Sequence, residues 1–178
     1  MNWMRHQIVY QIFPERFAIG KPHTSATKLA LPAYQHAKYT RHGWDEIPPQ
    51  PPRGRDFFGG DLQGIIDRLD YIQDLGATAL YLTPIFIAPS NHKYDTTDFL
   101  TIDPMFGDES TLRALTTELH RRGMKLILDA VFNHVSDIHP WYKSRPDFFT
   151  GTFWRDFGKM PELNLANRDV REELFRVL

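Results

Sequence analysis

The chain has 178 residues, 42% of them hydrophobic, with 21 Lys and Arg against 22 Asp and Glu. This composition is typical of one soluble globular domain. The near-zero net charge and the lack of a basic cluster among aromatic residues argue against a nucleic-acid or anionic-membrane partner. The chain contains no cysteine, which excludes disulfides and thiolate zinc sites and fits a reducing compartment.

The amino terminus and the hydropathy predict a cytoplasmic protein. The opening MNWMRHQIVYQIF lacks the long apolar stretch of a signal peptide. No run approaches the roughly 18 apolar residues that a membrane span needs. We therefore expect neither secretion nor a membrane anchor.

The first predicted elements are a strand and a helix. Residues 7–13 (QIVYQIF) are β-branched and aromatic, which predicts a buried strand that ends at Pro14. Residues 14–58 then form a long surface loop rich in Pro and Gly. A helix begins at Asp61, which caps free N–H groups, and stops at Gly76. Its apolar face consists of Ile65, Ile66, Leu69, Ile72 and Leu75.

The same alternation continues through two more strands. Residues 78–86 (TALYLTPIF) are almost continuously apolar, as in a strand that is covered on both faces. A second helix opens at Asp108 or Ser110 and closes at Gly123, and residues 125–132 (KLILDAVF) are the third strand. The helix has Leu112, Leu115 and Leu119 at helical spacing. This βαβαβ order predicts a parallel sheet with right-handed crossovers.

The remaining sequence is irregular. Residues 133–164 are rich in aromatic side chains without a clear period. A last helix starts near Asn167, with Val170, Leu174 and Val177 on one face.

The unusual polar residues lie in the long loops that follow the strands. Ligands of parallel α/β folds bind at the carboxyl ends of the strands, so the candidate site consists of residues 15–16, 90–98 and 129–134. Asp129 has apolar neighbours, and burying its carboxylate without a partner would be costly. We expect a cationic partner or a network of substrate hydroxyls beside it. An aspartate satisfied by the protein without any chemistry explains the same pattern, as does a packed or capping role for His134.

Two further motifs have a functional and a structural interpretation. Residues 91–99 (NHKYDTTDF) include His92 and Asp95, which can bond sugar hydroxyls, and Tyr94, which offers a flat face for a pyranose ring. A plain polar turn would contain the same residue types. Residues 57–61 (FFGGD) are either part of a site or a loop-to-helix entry whose glycines allow tight packing.

Together these stretches resemble the alpha-amylase family of glycoside hydrolases, most closely its neopullulanase, cyclomaltodextrinase and maltodextrin glucosidase branch. They occur in family order: VYQIFPERF, FFGGDLQGIIDRLDYIQDLG, ALYLTPIF, SNHKYDTTDF with IDPMFG, LILDAVFNH and MPELN. The last resembles the branch motif MPKLN, with Glu162 in place of Lys. The resemblance implies that residues 1–178 are part of a catalytic (β/α)8 TIM barrel, namely its first three βα units plus the irregular loop region after strand 3. The inserted region is residues 133–165, and no separate amino-terminal sugar-binding domain is expected.

The resemblance also implies roles for individual residues. Asp129 and Asn133 of DAVFNH are structural members of the active site, and Asp129 pairs with an arginine of the fourth strand. The implied substrate-binding residues are His134, which bonds a hydroxyl of the sugar at the cleavage subsite, Tyr94, which stacks on that sugar, His92 and Asp95.

The catalytic pair of the family is expected beyond Leu178. Family members use an Asp nucleophile and a Glu acid/base that stand roughly 5 Å apart. The resemblance implies that the nucleophile lies on the fourth strand, just past the helix in which Leu178 ends, and that the acid/base lies farther on. No catalytic residue is therefore expected within this chain. We expect part of a retaining α-glucan hydrolase for maltodextrins or cyclomaltodextrins, inactive by itself.

A calcium site is a further implication. Some relatives hold calcium with an Asn/Asp-rich loop together with a Gly and an Asp that match Gly59 and Asp61. The corresponding loop, residues 18–28 (AIGKPHTSATK), has no carboxylate, and Gly59 and Asp61 alone make a poor oxygen cage. No cofactor is expected to be required.

Two other interpretations stay open. The chain is a non-catalytic, carbohydrate-binding remnant or truncated gene product, or it is a metal-dependent hydrolase built from Asp129, His134 and His92, whose spacing matches no known metal site closely. Three strands of an eight-stranded barrel leave unpaired edges. The isolated chain is therefore expected to be marginally stable or oligomeric, for instance a homodimer.

Overall fold

The structure is a computed structural model that describes residues 3–20, 39–156 and 158–178. Its strands are β1 (Val9–Ile12), β2 (Thr40–Arg41), β3 (Asp56–Phe57), β4 (Ala79–Leu82), β5 (Phe86–Ile87), β6 (Asp98–Ile102), β7 (Lys125–Leu128), β8 (Phe149–Phe153) and β9 (Pro161–Leu163). Its α-helices are α1 (Leu62–Ile66), α2 (Leu69–Asp74), α3 (Glu109–Arg121), α4 (Pro140–Ser144) and α5 (Arg168–Phe175).

A three-stranded parallel sheet in the order β1-β4-β7 organises the fold. Ala79 pairs with Val9 on one side and with Lys125 on the other. The helices α1 to α3 lie between these strands in the chain, and tight turns at Gly76 and Gly123 return it to the sheet. Both glycines have a positive φ, 79° and 73°, which glycine adopts without a steric penalty. The predicted βαβαβ order and both helix stops are confirmed.

The three central strands are shorter than their apolar runs predict. The chain leaves the sheet after Leu82, and β5 instead forms an antiparallel pair with β6, which the sequence analysis missed. The predicted strand 125–132 ends at Leu128, so the alternation that was expected to carry Asp129 and Asn133 on one strand face does not extend to them. Of the predicted strand 7–13, the structure forms only β1. Among the described residues β1 pairs only with β4, and its Val9 is 42% exposed.

The helix predicted from Asp61 to Gly76 is two helices. Asp61 caps α1, since its side chain accepts the Gly64 N–H at 2.7 Å. Arg68 then leaves the helical region, with φ −112° and ψ 12°, and α2 begins at the next residue. Leu75, predicted on the buried face, lies just past the last residue of α2 and is 50% exposed.

The second predicted helix agrees closely with the structure. Asp108 is its cap and accepts the Thr111 N–H at 2.8 Å. Leu115 and Leu119 are fully buried, in one core with α1, α2 and the sheet. That core fixes the helical layer against the strands whose ends carry the candidate site.

The region after β7 is more ordered than predicted. It contains α4 and an antiparallel pair of β8 and β9. Asn167 caps α5 as expected, accepting the Asp169 N–H at 2.9 Å, and Val170 and Leu174 are buried in a second core with Phe99, Val135 and Phe148.

The last residues after α5 do not extend the central sheet. Leu178 lies just past α5 and is 82% exposed. Among the described residues the central sheet consists of β1, β4 and β7. The position of the fourth strand beyond Leu178, with the nucleophile, stays a prediction.

Two other expectations concern the loops and the membrane. The predicted loop 14–58 contains β2 and β3, while its residues 21–38 lie outside the described residues. Across the described ranges, no helix combines the length and apolar character needed to cross a membrane.

Candidate functional site

Asp129 is the centre of the candidate site and lies directly after β7. Its N–H donates to the Leu82 carbonyl at 3.1 Å, which extends the pairing of β4 and β7 by one residue. The phenols of Tyr81 and Tyr94 donate to the same oxygen, Asp129 Oδ2, at 2.6 Å and 2.8 Å. Asp129 is half-buried and is therefore held by two neutral donors. The expected cationic partner is not found among the described residues.

Tyr81 is a site residue that the sequence analysis missed. It lies in β4, where the strand register sets it opposite Ile127 of β7. Burial, and then the hydrogen bond to Asp129, raise the pKa of Tyr81 to about 12. The same two causes raise the pKa of Tyr94, so both phenols stay protonated donors at neutral pH. A tyrosine within the apolar run TALYLTPIF is the signal that could have identified it.

His134 is joined to the same cluster through the backbone of Tyr94. His134 Nε2 donates to the Tyr94 carbonyl at 3.1 Å, which leaves Nδ1 as the acceptor, 3.3 Å from Asn133 Nδ2. The His134 ring is buried and lies 5.2 Å from the Trp154 ring. Burial lowers the pKa of His134 against the opposing effects of the Tyr94 carbonyl and Glu162. The imidazole is therefore neutral at pH 7.

His92 and Asp95 belong to the hydrogen-bond network of the loop that carries Tyr94. Asp95 Oδ1 accepts the Ser90 hydroxyl and, at 3.3 Å, the Ser90 N–H. His92 Nδ1 accepts the Tyr94 N–H at 3.2 Å, and the two rings lie 5.9 Å apart. Burial lowers the pKa of His92. Both side chains thus shape the loop around Tyr94, while Asn133 is exposed at the edge of the cluster.

Glu15 and Arg16, the predicted contribution of the first strand, are occupied by structural contacts. Glu15 is fully buried and its Oε1 accepts the N–H groups of Phe58 and, at 2.8 Å, Gly59. Burial raises the pKa of Glu15, opposed by the Gly59 N–H and by Arg16. Arg16 pairs with Glu15 and lies 4.3 Å over the Phe58 ring. This pair fastens the loop before α1 to the end of β1.

Gly59 and Asp61 do not fit a calcium site in the described part of the chain. Asp61 is 2% exposed, and its Oδ1 accepts the N–H groups of Gly20 and Gly64 at 3.0 Å and 2.7 Å. The geometry is that of a loop-to-helix entry. Residues 21–28 of the loop that would complete a cage lie outside the described ranges. Within those ranges, no group of three His, Cys, Asp or Glu side chains could hold a metal ion, which also leaves the metal-dependent alternative without support.

Comparisons with known proteins agree with this picture. The family model for the alpha amylase catalytic domain matches residues 11–157. The chain is 43% identical over 195 residues to the intracellular maltogenic amylase of Bacillus subtilis (strain 168), covering 99% of this chain and 31% of the relative. It is 43% identical over 201 residues to neopullulanase 2 of Thermoactinomyces vulgaris, covering 99% and 32%.

A solved structure has a similar fold. The cyclic alpha-maltosyl-(1→6)-maltose hydrolase from Arthrobacter globiformis superimposes with a TM-score of 0.82 and 35% identity, over 99% of this chain and 42% of that one. The chain spans about a third of the length of the curated relatives it matches. The matched family model, together with identities above 40% along nearly the whole sequence, establishes that this chain belongs to the alpha-amylase family of glycoside hydrolases.

Proposed function

We propose that β1, β4 and β7 are the first three strands of the (β/α)8 barrel that membership of this family implies. The parallel order of these strands supports the proposal, as do the helices that connect them and the position of Asp129 at a strand's carboxyl end. Residues 133–165 are then a region inserted after the third strand. In this arrangement β1 and β7 are the strands to which further barrel strands would pair.

The proposed function is that of a part of a retaining α-glucan hydrolase that acts on maltodextrins or cyclomaltodextrins. The observation that carries it is the cluster of Tyr94, Asp129 and His134 at the ends of parallel strands. An aromatic ring beside fixed polar groups is suited to a pyranose, which has an apolar face and a rim of hydroxyls. Relatives named as a maltogenic amylase, a neopullulanase and a hydrolase of a cyclic maltosyl-maltose support this substrate class.

We propose further that the nucleophile and the acid/base lie beyond Leu178. Four carboxylates near the strand ends, those of Glu15, Asp95, Asp103 and Asp129, are each already bonded to protein donors. A double displacement needs two carboxyl groups roughly 5 Å apart, one on each side of the glycosidic bond. The parts of the relatives that this chain does not match would supply them.

A cytoplasmic location is proposed together with this function. It is supported by the relative that is named an intracellular maltogenic amylase.

The test measures reducing sugar released from β-cyclodextrin, maltotriose and pullulan. The purified chain is compared with a longer version that carries the remaining barrel segments of its relatives, and maltotriose binding is measured for both. We expect binding by both and turnover only by the longer version. Tyr94→Ala should weaken binding about tenfold or more, whereas Tyr71→Ala, which changes a half-exposed tyrosine on α2, should not.

The outcomes separate the alternatives. Turnover by the 178-residue chain would mean that a carboxylate pair within it does the chemistry. Binding without turnover in both versions would favour the non-catalytic, carbohydrate-binding remnant. Absence of binding in both versions would overturn the proposed substrate class.

A further inference from the structure

A fully buried ion pair lies beneath the loop that carries Tyr94. Lys93 Nζ is 2.7 Å from Asp103 Oδ2, and both side chains are 0% exposed. The ammonium group also donates to the Ala88 carbonyl at 3.0 Å. It lies 5.5 Å and 5.4 Å from the rings of Phe57 and Phe106. A lysine is rarely buried to this extent, so the position calls for a physical reason.

The backbone conformation at Lys93 adds to the free-energy cost of having a lysine at this position. Its φ is +63°, in the left-handed region where a residue with a Cβ is strained and glycine is preferred. The turn is nevertheless closed around this residue. The Lys93 N–H donates to Ser90 Oγ at 3.1 Å, and the Lys93 carbonyl accepts the Thr96 hydroxyl at 3.2 Å. A long side chain where the backbone favours glycine indicates that the side chain itself has a use.

Asp103 connects this turn to the base of its own hairpin. It lies at the end of β6, and its carboxylate accepts the N–H groups of Ala88 and Met105 at 3.3 Å and 2.8 Å. The ion pair therefore joins the middle of the loop between β5 and β6, which carries Tyr94, to the base of the same hairpin from inside the protein. Tyr94 follows Lys93 directly, and both its hydroxyl and its carbonyl are engaged, by Asp129 and His134.

We propose that Lys93 is a positioning residue for glucan binding, which acts through Tyr94. The ion pair with Asp103 holds the loop in the position in which the Tyr94 phenol donates to Asp129 and the Tyr94 backbone carbonyl accepts from His134. Lys93 is buried and touches no sugar. This inference rests on the proposed function, because the geometry that it fixes is that of the proposed glucan site.

The energetics of buried ion pairs allow the effect of Lys93 on the position of the Tyr94 loop to be measured separately from its effect on the stability of the fold. Replacing both partners of such a pair by apolar residues is often neutral or stabilising, whereas removing one partner leaves an unpaired buried charge. The double variant Lys93→Met/Asp103→Leu removes both charges but also the acceptor of the Ala88 and Met105 N–H groups. It should therefore lower the urea midpoint of unfolding less than the single variant Lys93→Met, which leaves a buried carboxylate without its cation.

The experiment measures three properties of this double variant: the urea midpoint, the NMR signal of ring-labelled Tyr94, and maltotriose affinity. Tyr94→Phe assigns the signal. We expect a folded variant whose midpoint lies above that of Lys93→Met, a Tyr94 signal moved to that of a solvent-exposed tyrosine, and affinity reduced about tenfold or more. A folded double variant with the original Tyr94 signal and affinity would overturn the proposal.

A second variant covers a failure of the first to fold. Lys93→Gly/Asp103→Asn removes the strained side chain and keeps one acceptor oxygen, for the N–H group of either Ala88 or Met105. The same displacement of Tyr94 is expected. An original chain that binds no maltotriose contradicts the proposed function instead. In that case the Tyr94 signal still decides whether Lys93 holds the loop, and an unmoved signal rejects that role.

Discussion

At the level of single residues, Asp129 is the group on which the candidate site is built. Its apolar surroundings require a partner, which was expected to be a cation or a network of substrate hydroxyls. The partner is a pair of tyrosine phenols rather than a cation. Tyr81 reaches Asp129 only because β4 and β7 are paired in one register. The sequence could mark Tyr81 as a polar group within an apolar strand, but a strand register is decided by tertiary packing, so the sequence could not assign Asp129 as its partner.

His139 provides a prediction of pH dependence. It is 4% exposed, its ring lies 4.6 Å from that of Trp141, and burial lowers its pKa to about 4 against an opposing effect of Asp98. The unfolded chain binds a proton at the ordinary histidine pKa of about 6.5, before the folded chain does. Stability is therefore fully present above that value and is lost as the pH falls towards 4.

His139→Asn should remove this loss. Asparagine can still cap α4, where His139 Nδ1 accepts the Trp141 N–H at 3.1 Å. Between pH 7.5 and pH 5 the original chain should lose about 2 kcal/mol more unfolding free energy than the variant. Urea unfolding at the two pH values measures the difference. Equal losses would show that His139 titrates normally in the folded chain.

At the level of secondary-structure elements, the sequence predicted the positions of helix caps and helix stops but not the lengths of the helices and strands. Asp61, Asp108 and Asn167 cap helices through local contacts with N–H groups two or three residues ahead. Such contacts are determined by the residues next to the cap in the sequence. The β5–β6 pair and the break at Arg68 depend on partners from elsewhere in the chain, and both were missed.

Gly64 in α1 gives a prediction that opposes helix propensity. Alanine in a helix is usually better than glycine by about 1 kcal/mol. A Cβ at Gly64, however, would lie 2.1 Å from the carbonyl oxygen of Ala18. Gly64→Ala should therefore lower the unfolding free energy by about 1–3 kcal/mol.

The control for Gly64→Ala is Gly43→Ala. The nearest atom to its added Cβ is the flexible tip of Glu46, at 3.2 Å, so it should be nearly neutral. Denaturant unfolding of both variants provides the measurement. A stabilised Gly64→Ala would mean that the loop carrying Ala18 moves away from α1 at little cost.

At the level of the whole molecule, both outer strands of the central sheet have an open side within the described part of the chain. Val9 of β1 is 42% exposed and Leu128 of β7 is 39% exposed. Open strand edges with apolar side chains pair readily with other chains. Self-association, a homodimer in its simplest form, is therefore proposed for the isolated chain.

Leu128→Lys should reduce this self-association because a charged residue at a strand edge opposes pairing. Sedimentation velocity over a wide range of protein concentration should show concentration-dependent association of the original chain and less of it in the variant. Leu75→Lys changes an equally hydrophobic, exposed residue just past the end of α2 and should have no effect. A concentration-independent monomer for the original chain would contradict the proposal.

The sequence by itself determined the family, the βαβαβ order, the helix caps and the grouping of Tyr94, Asp129 and His134. These depend on local hydrogen bonding, on periodicity and on ordered motifs. Only the tertiary structure decided that Tyr81 and Tyr94 share one oxygen of Asp129 and that Lys93 is buried against Asp103. These contacts join residues that are distant in the chain or buried by packing, and no local pattern specifies which partner lies within hydrogen-bond distance.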